Sequence, residues 1–235
     1  MPDSLLPLYL LLFLPLKALW RSRYPAPPKP TLPALQSYWR QSRFLLVLLG
    51  VFALVAWRGN HSVKELGLAI PPSPGGVWGL VCAGCLLAVL LIVDQWMAFR
   101  MTEEDRVKQA DKLGELPFPM PRTGVETIAY IAMMLAMTAS WELLYRGYLL
   151  LVLAPLTGMP LAVALAAVAY GAAHGYKNPW QFAGAIAIAL AFTVGYALTG
   201  SLWWLIVLHA ATPLSMVYVV RRLKAAAPLD GAVSP

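Results

Sequence analysis

Seven apolar runs separated by short polar segments constrain this chain of 235 residues more than any other feature. A helix needs on the order of 20 apolar residues to cross a bilayer, and the runs fall at roughly 5–20, 44–57, 77–99, 125–155, 160–174, 181–199 and 201–220. Within lipid every backbone polar group must be satisfied internally, so unbroken apolar runs read as helices. Only 12% of the residues are charged, against about 25% in an ordinary soluble domain. The expected fold class is all-α, a polytopic membrane helix bundle of about seven transmembrane helices.

The net charge of +7 would suggest nucleic acid in a soluble protein. Here the basic residues cluster between apolar runs, where they set orientation in the membrane, and no nucleic-acid partner is expected. Segments 21–43 and 100–124, the turn with Lys177, and the tail with Arg221, Arg222 and Lys224 carry most of them. That places these segments in the cytoplasm and the N-terminus outside. The first run is read as a retained helix, because MPDS has no positive charge ahead of it. Residues 103–115 alternate in charge and read as a surface helix, followed by an extended stretch with three prolines. The two cysteines, Cys82 and Cys85, lie in one apolar run with no companion ligand pair, so they read as small packing residues.

Ionisable groups at membrane depth are rare and are the default functional candidates. They are Asp94, Glu142, Arg146, His174 and His209. Asp94 lies near an interface with Gln95 and Arg100 and is set aside. Glu142 and Arg146 are four residues apart, so they share a helix face and can pair. Alone, that pair reads equally well as a structural clip. Two histidines on two further helices add the parts needed to activate water for attack on an amide, or to hold a metal that does so.

The order ELLYRG, then YGAAHG, then TGSLWWLIVLHAA resembles the CPBP family of intramembrane proteases, the CAAX protease and bacteriocin-processing or ABI family. The likeness runs over roughly residues 63–220 and includes VKELGLAIPPSP upstream. It divides the chain into N-terminal helices with a basic Pro-rich connector (1–62), a protease-like core (63–220) and a short cytoplasmic tail (221–235). It implies an endopeptidase that cuts a membrane-tethered or C-terminally anchored substrate, with Glu142, Arg146, His174 and His209 as catalytic residues. The partners implied are a membrane-anchored protein or peptide and the lipid bilayer. No cofactor is expected, with a divalent metal such as zinc left open. The expected location is a bacterial plasma membrane, crossed several times.

Three positions depart from the family pattern. Its first glutamate, credited with activating water, falls at Trp141, and indole cannot accept a proton. Tyr170 stands for the phenylalanine four residues before His174, and Pro213 for the Asn or Asp four residues after His209. If Glu142 substitutes as the base, the helix carrying it must be turned or locally distorted, because successive residues point about 100° apart. The alternatives are a catalytically inactive relative that binds a hydrophobic tail or partner helix, and a small transporter. Against transport stand the single set of polar residues and the absence of a visible repeat.

Overall fold

A computed structural model describes residues 5–25, 32–114 and 119–226. These contain eight helices and no strand: α1 (Leu5–Arg23), α2 (Ala34–Arg58), α3 (Pro74–Phe99), α4 (Glu103–Gly114), α5 (Gly124–Thr157), α6 (Met159–Ala173), α7 (Pro179–Thr199) and α8 (Trp203–Ala226). Six are long and apolar enough to cross a membrane. The seventh apolar run forms α6, of 15 residues, which at 1.5 Å per residue spans about 22 Å, less than the ~30 Å of a hydrocarbon core. Its C-terminal cap is His174, so a helix too short to cross carries a candidate residue at its end.

The sequence explains where several helices start. Ser73 caps α3 by accepting the Gly76 amide at 3.0 Å, with Pro74 as the first helical residue. Thr123 and Glu126 form a reciprocal capping box at the start of α5. Asn178 caps α7 by accepting the Gln181 amide at 2.9 Å, again with proline next. Each cap satisfies an amide that would otherwise be orphaned at a helix end.

Two helices contain a widened, π-helical turn: Tyr9–Phe13 in α1 and Leu143–Leu149 in α5. Pro15 follows the first. Its ring would crowd the Leu11 carbonyl in a regular α-helix, and the wider turn gives it room. The two turns touch, and the Tyr145 hydroxyl donates to the Leu10 carbonyl at 3.0 Å.

The most extensive contacts join α6 to α7, and α6 also packs on α1 and on the end of α5. The other half of the bundle joins α8 to α3 and to the first part of α5, and α2 to α5. The main core gathers Leu144, Tyr145, Tyr148, Leu149, Ala166 and Leu205 around the widened turn of α5. Outside it lie exposed side chains such as Phe99, Trp180 and Ile92, a surface suited to lipid rather than water.

Some expectations need correction. The span expected at 44–57 begins at Ala34, so SYWRQSR, read as connector, is helical. Its two arginines, Arg40 and Arg43, are exposed, whereas Ser37 and Tyr38 are buried and Gln41 reaches Met137 Sδ of α5 at 3.9 Å. Cys82 and Cys85 are exposed on α3 and do not pack between helices. Asp94, set aside as an interfacial residue, pairs with Arg222 of α8 at 3.1 Å, and the Arg100 guanidinium lies over the Trp96 ring. The surface helix is present as α4, whereas residues 26–31, 115–118 and the tail beyond Ala226 lie outside the described residues.

Candidate active site beside the widened turn of α5

Glu142 is the last regular α-helical residue before the widened turn, and Arg146 lies within that turn. Both are fully buried, at 0% exposure. Their closest approach, Arg146 Nη1 to Glu142 Oε1, is 3.4 Å, long for a charge-assisted hydrogen bond, which runs to about 2.7–2.9 Å. The carboxylate has a tighter partner in His209 of α8, whose Nδ1 lies 2.6 Å from the same oxygen. Glu142 therefore belongs first to the imidazole and second to the guanidinium.

Arg146 is held by other groups. Its Nε donates to Thr193 Oγ1 of α7 at 3.3 Å, and its guanidinium carbon sits 4.0 Å over the Tyr170 ring. The Thr193 hydroxyl in turn donates to the Ala189 carbonyl at 2.7 Å. A guanidinium stacked on an aromatic face gains from the ring quadrupole, most of all when both are desolvated. Glu142 Oε2 and Arg146 Nη2 are buried with no protein partner, so this ion pair still has polar capacity to offer.

Tyr170, near the end of α6, joins the two histidines. Its hydroxyl is 3.5 Å from His209 Nε2, and its backbone carbonyl is 2.9 Å from His174 Nδ1. The His174 ring lies 4.8 Å from the Tyr170 ring. A carbonyl or carboxylate beside Nδ1 selects the tautomer with the proton there. In the neutral form both imidazoles thus carry the proton on Nδ1 and present Nε2 as the nitrogen with a lone pair. That is the state a general base needs.

All four residues expected from the sequence are near one another: Glu142 touches Arg146 and His209 directly, and His174 reaches them through Tyr170. Trp141, half-buried, points elsewhere. With His174, Tyr145 and Met137 it lines a cavity of about 500 Å³ that α1 and α2 close from the other side. Thr212, beside the Pro213 that stands where the family pattern has Asn or Asp, is exposed. The hydroxyl at His209 is that of Tyr170. Thr193 and the bridging role of Tyr170 were not read from the sequence. The signal for Thr193 was the first of three hydroxyls in the run AIAIALAFTVGYALT, with Tyr196 and Thr199 after it, none of them charged at neutral pH.

No three His, Cys, Asp or Glu side chains gather as metal ligands among the described residues. Glu142 is spent on His209 Nδ1, which makes it an orienting partner of the imidazole rather than a ligand beside it. The donor set does not fit zinc.

The glycines around the site are dictated by contact. A Cβ on Gly147 would lie 2.8 Å from the Leu66 carbonyl, and one on Gly171 would lie 2.8 Å from Ile186 Cα. Gly67, at φ +76, accepts the Leu202 amide on its carbonyl at 2.8 Å and fastens the 62–68 turn to the start of α8.

The fold and site define a polytopic helical membrane protein with a fully buried carboxylate that meets a partly exposed imidazole among its helices. Residues 124–214 match the model of a protease family described as type II CAAX prenyl endopeptidase Rce1-like. Over those residues the chain is similar to that family, in line with the CPBP resemblance carried by its motifs. No curated protein and no solved structure matches the chain.

Proposed function

We propose that the protein is an intramembrane endopeptidase in which His209, held by Glu142, activates the attacking water. The observation that carries this reading is the 2.6 Å contact between His209 Nδ1 and a fully buried Glu142. His209 Nε2 takes the proton of a water whose oxygen attacks the scissile carbonyl. Glu142 keeps the ring oriented and offsets the charge of the imidazolium, while Arg146 balances the carboxylate in the resting state. The imidazolium so formed at His209 gives that proton to the departing amine, while His174, with its Nε2 lone pair free, orients the water from beside Tyr170. The carboxylate that the family pattern places at 141 is thus replaced by a carboxylate–imidazole pair one residue on, which the widened turn accommodates.

The substrate in this proposal is a membrane-tethered or C-terminally anchored protein or peptide, cut by a core spanning 63–220. Basic connectors favour an N-terminus outside and a C-terminus in the cytoplasm, which takes an odd number of crossings, so in this proposal α6 and its flanking turns together make the seventh, in a bacterial plasma membrane. The test is cleavage of membrane-anchored peptides by the protein in vesicles. His209→Ala and Glu142→Gln should each slow cleavage by about 10²–10⁴-fold, the usual worth of a positioned acid or base, and His174→Ala should slow it as well. Unchanged cleavage in Glu142→Gln would refute the pairing.

One observation favours a second reading. Trp141 and His174 line the cavity with no carboxylate beside them, as expected of an inactive relative that only binds a hydrophobic tail. Tail binding without cleavage by the wild type would establish that reading instead.

A further inference from the structure

The cavity of about 500 Å³ lies between α1, α2, α5 and α6, and two of its walls come from helices outside the Rce1-like segment. Its lining includes the apolar and aromatic side chains of Leu14, Phe44, Met137 and Trp141, and two cations, Lys17 and Arg21, one turn apart on α1. Among the described residues neither has a carboxylate partner, and the nearest charge-related contact is Lys17 Nζ at 5.4 Å from the Phe13 ring.

The position of these cations in the bundle is fixed. Ser22, one residue beyond Arg21, accepts the Tyr176 amide at 2.8 Å, which pins the end of α1 to the turn after His174. Arg21 and Arg23 form the basic last turn of α1, where a membrane helix meets the headgroup layer. A cavity of this volume suits one ligand of moderate size. Two cations without a carboxylate partner among the described residues, lining one space with apolar side chains, call for an anion that carries a hydrocarbon chain. Basic pockets between membrane helices hold anionic lipid headgroups for this reason.

We propose that this cavity binds an anionic phospholipid, with its phosphate on Lys17 and Arg21 and one acyl chain lying along Leu14, Phe44, Met137 and Trp141. The bound chain ends beside His174, so lipid and an incoming hydrophobic tail would compete for one space. The proposal stands whether or not the Glu142–His209 pair cuts peptides.

The test uses the full chain in nanodiscs of phosphatidylcholine with or without phosphatidylglycerol, followed by native mass spectrometry of retained lipid. The wild type should keep phosphatidylglycerol in preference to phosphatidylcholine. With about 1 kcal/mol expected per basic residue near the headgroups, Lys17→Gln/Arg21→Gln should weaken that retention roughly tenfold or more. Arg58→Gln, a cation on the far end of α2, should leave it unchanged. Met137→Trp fills the slot while keeping both cations and should also release the lipid, with an unchanged thermal unfolding profile showing that the variant is folded. Inorganic phosphate at matched concentration should not displace the lipid, because it offers no chain to the slot.

Equal retention of the two lipids, or full retention in the double cation variant or in Met137→Trp, would overturn the proposal. So would displacement by inorganic phosphate. Release of the lipid by an apolar peptide with a free C-terminal carboxylate, but not by its amidated form, at concentrations where phosphatidylglycerol itself shows no preference would assign the cavity to a peptide tail instead.

Discussion

Replacing Arg146 by methionine isolates the energetics of the buried charges. The side chain keeps roughly its length and apolar contacts, but Glu142 loses its only cationic neighbour other than an imidazole, at 0% exposure. Removing one partner of a buried pair costs about 3–5 kcal/mol, because the other charge stays dry and uncompensated. The Thr193 hydroxyl and the Tyr170 ring also lose their cation, which argues for the upper part of that range. Glu142→Leu/Arg146→Met removes both charges and should cost less than the sum of the single changes, by a coupling of about 1–3 kcal/mol. The 3.4 Å separation limits how large that coupling can be, since the shorter 2.6 Å contact belongs to His209. Equilibrium unfolding in mixed micelles, titrated with a denaturing detergent, measures all four corners of the cycle. An Arg146→Met cost below about 1 kcal/mol, the level of an exposed pair, would refute the account of these charges as a sealed pair.

The other predictions concern neighbouring groups. Trp141→Glu places a carboxylate in the cavity beside His174 and should raise peptide cleavage above wild type in the vesicle assay. Thr193→Val leaves a buried Arg146 N–H unmatched and should lower stability by about 1–3 kcal/mol in the same micelle titration. Gly171→Ala drives a methyl into the Ile186 backbone and should cost about 1–3 kcal/mol by overpacking. Gly184→Ala, with nothing within 4 Å, should instead stabilise α7 by up to about 1 kcal/mol, so the two glycines should shift thermal unfolding in opposite directions.

The number and place of the helices were legible because lipid imposes a length and an apolarity that few other solvents demand. Their ends were less so: a polar turn such as SYWRQSR can extend a helix beyond the hydrocarbon, and α6 fell short of a full crossing. Within the site, Glu142 and Arg146 were legible as a pair from their spacing, and the histidines from their rarity at membrane depth. The preference of Glu142 for His209 was not, because it depends on how α5 and α8 meet across 67 positions of sequence. Nor was the Tyr170 bridge, which looked like a mild exchange of one aromatic ring for another. The cavity was invisible for the same reason: Lys17 lay inside the first apolar run and Arg21 in a connector that carried a topology signal, and only the folding of α1 against α5 and α6 brings both to one space.

The wide coil at Leu143–Leu149 sets a condition on chain length as well as on residue type. A regular helix advances about 100° per residue, so losing one position between Glu142 and Leu150 would let the segment relax to ordinary winding and swing everything after it out of phase with everything before. Lineages carrying this fold should therefore tolerate exchanges of side chain within those seven positions far better than a single-codon deletion, and a gap falling there in a relative would mark a differently assembled centre.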